Sequence, residues 1–409
     1  DVNRKSTNLH HGVLLSDEFM ELIEKATKIE GFDDSWDLVD PHSGEIKKTV
    51  SAKTLWVKLI QNRVETGEPY IMFKDTVQEA VPEFQQNLGL TVHHSNLCSE
   101  ITLATDKDRT AVCCLSSVNL EEYDEWKDND DFIPDLVRML DNVIEFFINN
   151  APDQLSRASY SAMRERSLGL GAMGFHAYLQ RHSIPFESAM AKGRNLQMFG
   201  RIKGEAVRAT RQLATERGEC PDGEGYGVRN AHLLAIAPNA SSSIICGNTS
   251  PSIEPYRANA FTQKTKSGSS LLKNEYLEDT LQDLGYDTDD VWKSILTNGG
   301  SVQHLEFLDQ WTKDVFKTAV EIDQRWVIEM AGDRQEFICQ SQSLNVFFPA
   351  NISKQELHAV HMMAWKRGVK TLYYLRSEAM KRAENVSDEV LRQYIFDSID
   401  DEGCLACEG

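Results

Sequence analysis

The sequence predicts an α/β fold with parallel strands. Two observations carry this expectation: helical and extended segments alternate along the chain, and helix start and stop signals bracket the helical ones. "SDEFMELIEKATKI" begins at Ser16, a good N-cap, with acidic residues next and Phe19, Leu22 and Ile23 at helical spacing. "SAKTLWVKLIQNRVETG" reads as a helix closed by Gly67. "PYIMF" (69–73) is a short apolar run and reads as a strand. "ITLA" and "AVCCL" read as strands around the charged turn "TDKDRT". "DLVRMLDNVIEFFINN" places Leu136, Leu140, Val143 and Phe147 on one buried helix stripe. The run from Met190 to Arg217 is helical and ends at Gly218. "HLLAIAP" (232–238) reads as a strand leading into a turn of small residues. "SKQELHAVHMMAWKRG" (353–368) carries the capping box Ser353 to Glu356, and "VKTLYYL" (369–375) is a strand after it. The stretch after that turns polar and acidic and reads as a mobile tail.

Composition narrows the function classes. The chain has 409 residues, 41 % apolar and 26 % charged, ordinary values for a globular protein with a sizeable core. A formal net charge of −20 argues against nucleic acid as a partner, because no dense basic surface is available for a phosphate backbone. No apolar run approaches the roughly 20 residues that span a bilayer, and no signal-peptide pattern opens the chain. Eight cysteines in a chain this long are not a disulfide scaffold, so a reducing cytoplasm is expected. The chain opens on Asp1 and runs at once into what reads as the middle of a domain, so a fragment, a processed product or a split polypeptide is expected.

Several stretches have the composition for chemistry. In "HSNLCSEITL", Asn96, Cys98 and Glu100 alternate, and on an extended chain they would share one face. An ordinary strand with a buried structural cysteine fits that spacing equally. Cys113 and Cys114 are adjacent, so on a strand only one of them can face the same space as Cys98. "CLAC" holds Cys404 and Cys407 on the tail. Half a zinc site is one reading, and a travelling redox dithiol fits better because no second such pair exists. "PNASSSIICGN" (238–248) has small residues whose backbone N–H groups could cradle a phosphate, or make a plain turn. "GLGAMG" (169–174) matches a dinucleotide fingerprint only formally; no apolar strand precedes it, and close helix packing accounts for its glycines. Tyr373 and Tyr374 are vicinal phenols, of interest only where one-electron chemistry runs nearby.

Taken together and in order, "SNLCSEI", "AVCCLSSVNL", "RSLGLGAMGFHAYL", "APNASSSIICGNTSPSIEP", "KTLYYLRSEA" and the cysteine-bearing tail resemble the large (α) subunit of class I ribonucleotide reductase, with "GNTSPSIEP" similar to bacterial and phage members. The resemblance covers nearly the whole chain and only the C-terminal part of that subunit. It implies the later part of a ten-stranded α/β barrel with a central finger loop over 1–376, and a redox-relay tail over 377–409. It implies that Cys98 becomes a thiyl radical, Glu100 is the general base and Asn96 positions the substrate hydroxyls. Cys113 is implied as one of two reducing cysteines, its partner lying on a barrel strand this chain lacks. Pro238, Asn239, Ala240, Ser241, Ser242 and Ser243 are implied to bind the substrate phosphates. Tyr373 and Tyr374 are implied as a stacked radical-relay pair, and Cys404 and Cys407 as the pair that re-reduces the active site. The implied substrate is a ribonucleoside diphosphate. The implied partners are the small (β) radical-generating subunit, the N-terminal part of the α subunit, a second α subunit in an α₂ dimer, and thioredoxin or glutaredoxin as reductant. No metal is expected on this chain, since the metal cofactor belongs to the small subunit. The alternative expectation is an inactive fragment that only binds the radical subunit or the missing half-barrel.

Overall fold

The computed structural model describes residues 9–377, except 266, 267 and 350. Its helices start where the sequence signals them. Ser16 Oγ accepts from the Phe19 N–H at 3.3 Å and opens the helix Asp17–Lys28. Ser51 caps Ala52–Thr66 and Ser353 caps Lys354–Lys366 in the same way. Each hydroxyl satisfies an N–H that the first turn leaves without an intrahelical acceptor. Gly67 closes its helix at φ 78°, in left-handed backbone where a Cβ is disfavoured. Ala189–Arg217 is one long helix ending at Gly218. The helix Phe132–Asn150 buries Ile133, Val137, Leu140, Asp141 and Ile144. Of the expected stripe only Leu140 is fully buried, and Val143 is exposed. The face is turned because Asp141 points inward to Arg166, 2.9 Å away, a pairing that polarity alone does not reveal.

The strands are β1 Gly12–Leu15, β2 Ser35–Val39, β3 Ile46–Ser51, β4 Tyr70–Phe73, β5 Cys114–Asn119, β6 Leu168–Met173, β7 Ala260–Thr265, β8 Gly268–Lys273, β9 Val346–Phe348, β10 Thr371–Leu372 and β11 Leu375–Ser377. β2–β3 and β7–β8 are antiparallel hairpins. The remaining strands follow one another in a single hydrogen-bonded succession. β5 runs parallel to β6, and β6 meets segment 232–236 through the parallel bridge Leu170–Leu234. Ile236 bridges Gln342, β9 runs parallel to β11, β10 lies antiparallel on β4, and β4 runs parallel to β1. Among the described residues nothing joins β5 to β1, so the succession is an open wall. One core of buried apolar residues lines it, including Trp56, Ile71, Phe73, Leu170, Phe175 and Val346. A smaller core around Leu277, Leu281, Trp292 and Ile295 sits beyond it in sequence.

Four expected strands differ from expectation, and in two of them a side chain takes the place of a ladder partner. Residues 101–104 form no strand, and the Thr102 N–H donates to Gln340 Oε1 at 3.3 Å. "AVCCL" becomes a strand only from Cys114. Segment 232–238 contributes isolated bridges. "VKTLYYL" splits at the tyrosines, where the Tyr374 N–H donates to Asn345 Oδ1 at 3.0 Å.

All of "GLGAMG" but Gly174, which caps the helix Phe175–Arg181, lies in strand β6, and Gly169 and Gly171 make room for neighbouring strands rather than for a helix. A Cβ on Gly169 would lie 2.8 Å from Cys113 Sγ, and one on Gly171 would lie 2.5 Å from the Ala235 carbonyl oxygen. Backbone cannot yield as a flexible side chain can. Gly171→Ala should therefore cost about 1–3 kcal/mol of stability. Gly193→Ala, mid-helix with open space around the added methyl, should gain roughly 0.5–1 kcal/mol. Urea unfolding of the two variants reads both signs; equal effects would sink the packing argument.

Candidate active site

The Asn96–Glu100 segment is a turn, not an extended strand. The Ser99 N–H donates to the Asn96 carbonyl at 3.2 Å, and Ser99 has φ 70°. Asn96, Cys98 and Glu100 therefore do not share the face of an extended strand, as their period of two predicts. Curling brings Asn96 back onto Glu100: its side chain hydrogen-bonds the Glu100 carboxylate, and its Oδ1 accepts from the Ile101 N–H at 3.1 Å. The turn is docked on the open wall. The Ser341 N–H donates to the Glu100 carbonyl at 2.9 Å, and Thr371 Oγ1 donates to the Ser99 carbonyl at 2.9 Å.

Ser343 sits between Cys98 and Glu100. Its Oγ lies 2.5 Å from the Cys98 carbonyl oxygen and 3.0 Å from Glu100 Oε2. Ser343 carries one hydroxyl proton, which it donates to one of these two oxygens at a time. Glu100 is 2 % exposed. Burial raises its pKa, against the opposing hydrogen bonds from Asn96, its own backbone N–H and Ser343.

The tyrosines lead to the sulfur. Tyr373 O–H points at Cys98 Sγ across 3.7 Å. The Tyr373 and Tyr374 ring centroids are 4.4 Å apart at 53°, so the pair is tilted rather than stacked as expected. The reason is a third ring: Tyr70 lies 4.8 Å from Tyr373 and 5.1 Å from Tyr374, nearly perpendicular to the latter. Burial pushes the Tyr70 and Tyr373 phenols far up, which keeps both protonated in the ground state. Arg63, fully buried, donates to the Tyr373 carbonyl at 2.9 Å and also to the Pro69 carbonyl, tying the two tyrosine-bearing segments together. The Arg376 guanidinium lies 4.0 Å from the Tyr374 ring centroid.

The adjacent cysteines diverge, although the strand begins only at Cys114. Cys114 packs on the main core, whereas Cys113 joins Ile101, Leu103 and Ala235. Gln340 Nε2 donates to Cys113 Sγ at 3.4 Å. Burial raises the Cys113 pKa far above the usual thiol range, and the nearby Glu100 charge adds to that. The structure thus gathers Asn96, Cys98, Glu100 and Tyr373, with Cys113 reached through Gln340. In "PNASSS", Asn239 adopts φ 55° and its Oδ1 accepts from Ser117 Oγ of β5 at 3.1 Å. Ala240–Ile245 is a short helix on which Ser241 and Ser242 are exposed and Ser243 is buried against the Ala240 carbonyl. Pro238 precedes it, half-buried. Cys404 and Cys407 lie outside the described residues. Among the described residues no cluster of three histidine, cysteine or acidic side chains is placed to hold a metal, and no helix is long and apolar enough to cross a membrane.

The family model "Ribonucleotide reductase, barrel domain" matches residues 2–225 and 221–375. The chain belongs to the ribonucleotide reductase barrel-domain family. A protein of Frog virus 3 (isolate Goorha), named as a ribonucleoside-diphosphate reductase large subunit, is 49 % identical over 412 residues, 100 % of this chain and 70 % of its own. The ribonucleoside-diphosphate reductase large subunit of Invertebrate iridescent virus 3 is 46 % identical over 377 residues, 91 % of this chain and 59 % of its own. The solved Actinobacillus ureae class Id ribonucleotide reductase alpha subunit is similar with a TM-score of 0.80 and 38 % identity, over 90 % of this chain and 65 % of that one. The chain therefore spans between 59 % and 70 % of the lengths of these proteins.

Within this ribonucleotide reductase barrel portion, several groups beside the site escape the motif reading: Ser343, Gln340, Arg63 and Tyr70. One signal for the first two is present in "ICQSQSLNVFF", where four consecutive polar residues interrupt an apolar run. Gln340, Ser341, Gln342 and Ser343 are all fully buried. Such a run is tolerated in a core only when every polar group has a partner.

Proposed function

We propose that this chain supplies the catalytic portion of a class I ribonucleoside-diphosphate reductase large subunit, converting ribonucleotides to deoxyribonucleotides. The observation that supports this reading is the 3.7 Å approach of the Tyr373 hydroxyl to Cys98 Sγ, with Glu100 and Asn96 on the same turn. In this reading an oxidising equivalent from the metal cofactor of a small radical-generating subunit reaches Tyr374 and Tyr373. Cys98 loses its S–H hydrogen to Tyr373 and takes the 3′ hydrogen of the ribose. Glu100 accepts the 3′-hydroxyl proton, Asn96 holds the hydroxyls, and the 2′-hydroxyl leaves as water. Cys113 and a second thiol from outside this chain give up two electrons and two protons and become a disulfide, one proton leaving with the 2′-hydroxyl as water and the other ending on C2′; Cys98 returns the hydrogen to C3′ and Glu100 returns its proton to the 3′ oxygen. The 238–243 loop, with Ser241, Ser242 and Ser243, binds the diphosphate. Cys404 and Cys407 pass electrons from thioredoxin or glutaredoxin. The cytoplasm and an α₂ assembly belong to the same reading.

The test is deoxynucleotide formation from a ribonucleoside diphosphate with the small subunit and a dithiol reductant. The chain is assayed alone and together with the remainder of a large subunit. Turnover upholds the reading, and its absence with assembly confirmed sinks it. Glu100 adds a pH prediction. It accepts a proton only when ionised, and burial raises its pKa. The acid limb of kcat/KM should therefore lie above the ordinary carboxylate range, activity being lost as pH falls through it. Glu100→Gln should lose about 10²–10⁴-fold and that limb with it. A variant that keeps the limb would assign it to another group.

A further inference from the structure

Arg376 is not used by the proposed chemistry, and it stands directly on a group that is. It lies on β11, two residues after Tyr374, the spacing that turns side chains to one side of an extended chain. Its guanidinium is 4.0 Å from the Tyr374 ring centroid. Elsewhere among the described residues a cation lies 4.7 to 5.8 Å from the ring it covers, and none covers Tyr373. The vicinal phenols thus differ. Tyr374 carries a positive charge on its face, whereas Tyr373 meets Tyr70, Tyr374 and the Cys98 sulfur.

That charge is not cancelled at close range. Arg376 makes no ion pair among the described residues, and its buried Nε has no hydrogen-bond partner among them. The carboxyl it acts on is Glu254, which is 2 % exposed and accepts from Asn345 Nδ2 at 2.5 Å. Burial raises the Glu254 pKa against the Arg257 and Arg376 charges and the Asn345 hydrogen bonds, so this group supplies little counter-charge. On Tyr373 the Arg376 charge is the least of the influences, behind burial, Cys98 and Tyr374. A cation over a phenol ring is held by the π electrons of the ring. Withdrawing an electron weakens that attraction, so oxidation becomes harder the closer the cation sits.

We propose that Arg376 acts through Tyr374: its charge makes Tyr374 the higher-energy station for the radical, so that an oxidising equivalent does not rest there but passes to Tyr373. The step is the transfer of one hydrogen atom. Tyr373 gives its O–H hydrogen to the Tyr374 phenoxyl oxygen; one O–H bond breaks and one forms. Tyr374 is reduced back to the phenol and Tyr373 is oxidised to the radical. The oxidising equivalent is the one-electron oxidant of the small radical-generating subunit, so the inference rests on the proposed function.

The experiment is a radical trap in the chain assembled with the small subunit and the remainder of a large subunit. Tyr373→Phe removes the next station, so Tyr374 holds what reaches it. Electron paramagnetic resonance of samples frozen during the reaction reads the phenoxyl radical, and the same assembly with Tyr374→Phe gives the background. Adding Arg376→Gln to Tyr373→Phe should raise the Tyr374 radical about tenfold, the change expected on losing a partly desolvated cation over the ring. Adding Arg376→Lys, which keeps the charge, should leave it within about threefold. A role in packing alone would not separate the lysine from the glutamine variant. Should Arg376→Gln fail to fold, Arg376→Met is read in the same way. A Tyr374 signal that the neutral variants leave unchanged, or that the lysine variant raises equally, would overturn this inference alone. No Tyr374-dependent signal in any of these assemblies would overturn the relay reading and this inference with it.

Discussion

Cys98→Ser should abolish deoxynucleotide formation, to below about 10⁻³ of wild type, while leaving the fold intact. The reason is chemical rather than steric. Serine replaces one atom, and Cys98 is only partly buried, so little packing is lost. The docking of the turn rests on backbone atoms: Ser343 on the Cys98 carbonyl, Thr371 on the Ser99 carbonyl and Ser341 on the Glu100 carbonyl. Those bonds survive the change. What disappears is the weak S–H bond, which can be broken and remade where an O–H bond cannot. Thermal unfolding of the variant should match wild type within the effect of a surface change. A loss of activity accompanied by unfolding would mean that the sulfur is structural.

Tyr373→Phe should be the second large effect, again below about 10⁻³ of wild type. The ring stays packed between Tyr70 and Tyr374, with centroids 4.8 and 4.4 Å away, so apolar burial is conserved. Only the O–H is removed, and its 3.7 Å contact with sulfur is weak, so the stability cost should stay within about 1 kcal/mol. Phenylalanine has no hydrogen to exchange with Cys98. Binding of the ribonucleoside diphosphate should be unchanged, which equilibrium dialysis against labelled substrate can measure. Retained turnover in Tyr373→Phe would show that the sulfur is oxidised by another route.

The proposed reacting groups were legible because their chemistry is carried by residue identity: Cys98 between Asn96 and Glu100, and the vicinal Tyr373 and Tyr374. Helix ends were legible for the same local reason, since Ser16, Ser51 and Gly67 act on atoms a few residues away. What the sequence hid is long-range. Alternation placed Asn96, Cys98 and Glu100 on a strand, but a positive φ at Ser99 curls them into a turn whose shape depends on Ser341, Ser343 and Thr371. The tilt of the tyrosine pair depends on Tyr70, about three hundred positions away in sequence, which "PYIMF" presents as one more apolar strand residue. The glycines of "GLGAMG" read as helix packing because nothing local says that the Ala235 carbonyl comes within 2.5 Å of an added Cβ.

In the proposed reaction the Cys98 sulfur removes the 3′ hydrogen of a ribonucleotide. The most direct measurement is competition between substrate carrying protium and substrate carrying deuterium at C3′, in the assembled enzyme. Deuterium should be discriminated against in the deoxynucleotide formed, with no product at all from Cys98→Ser. Equal use of the two substrates, or product from the serine variant, would contradict it.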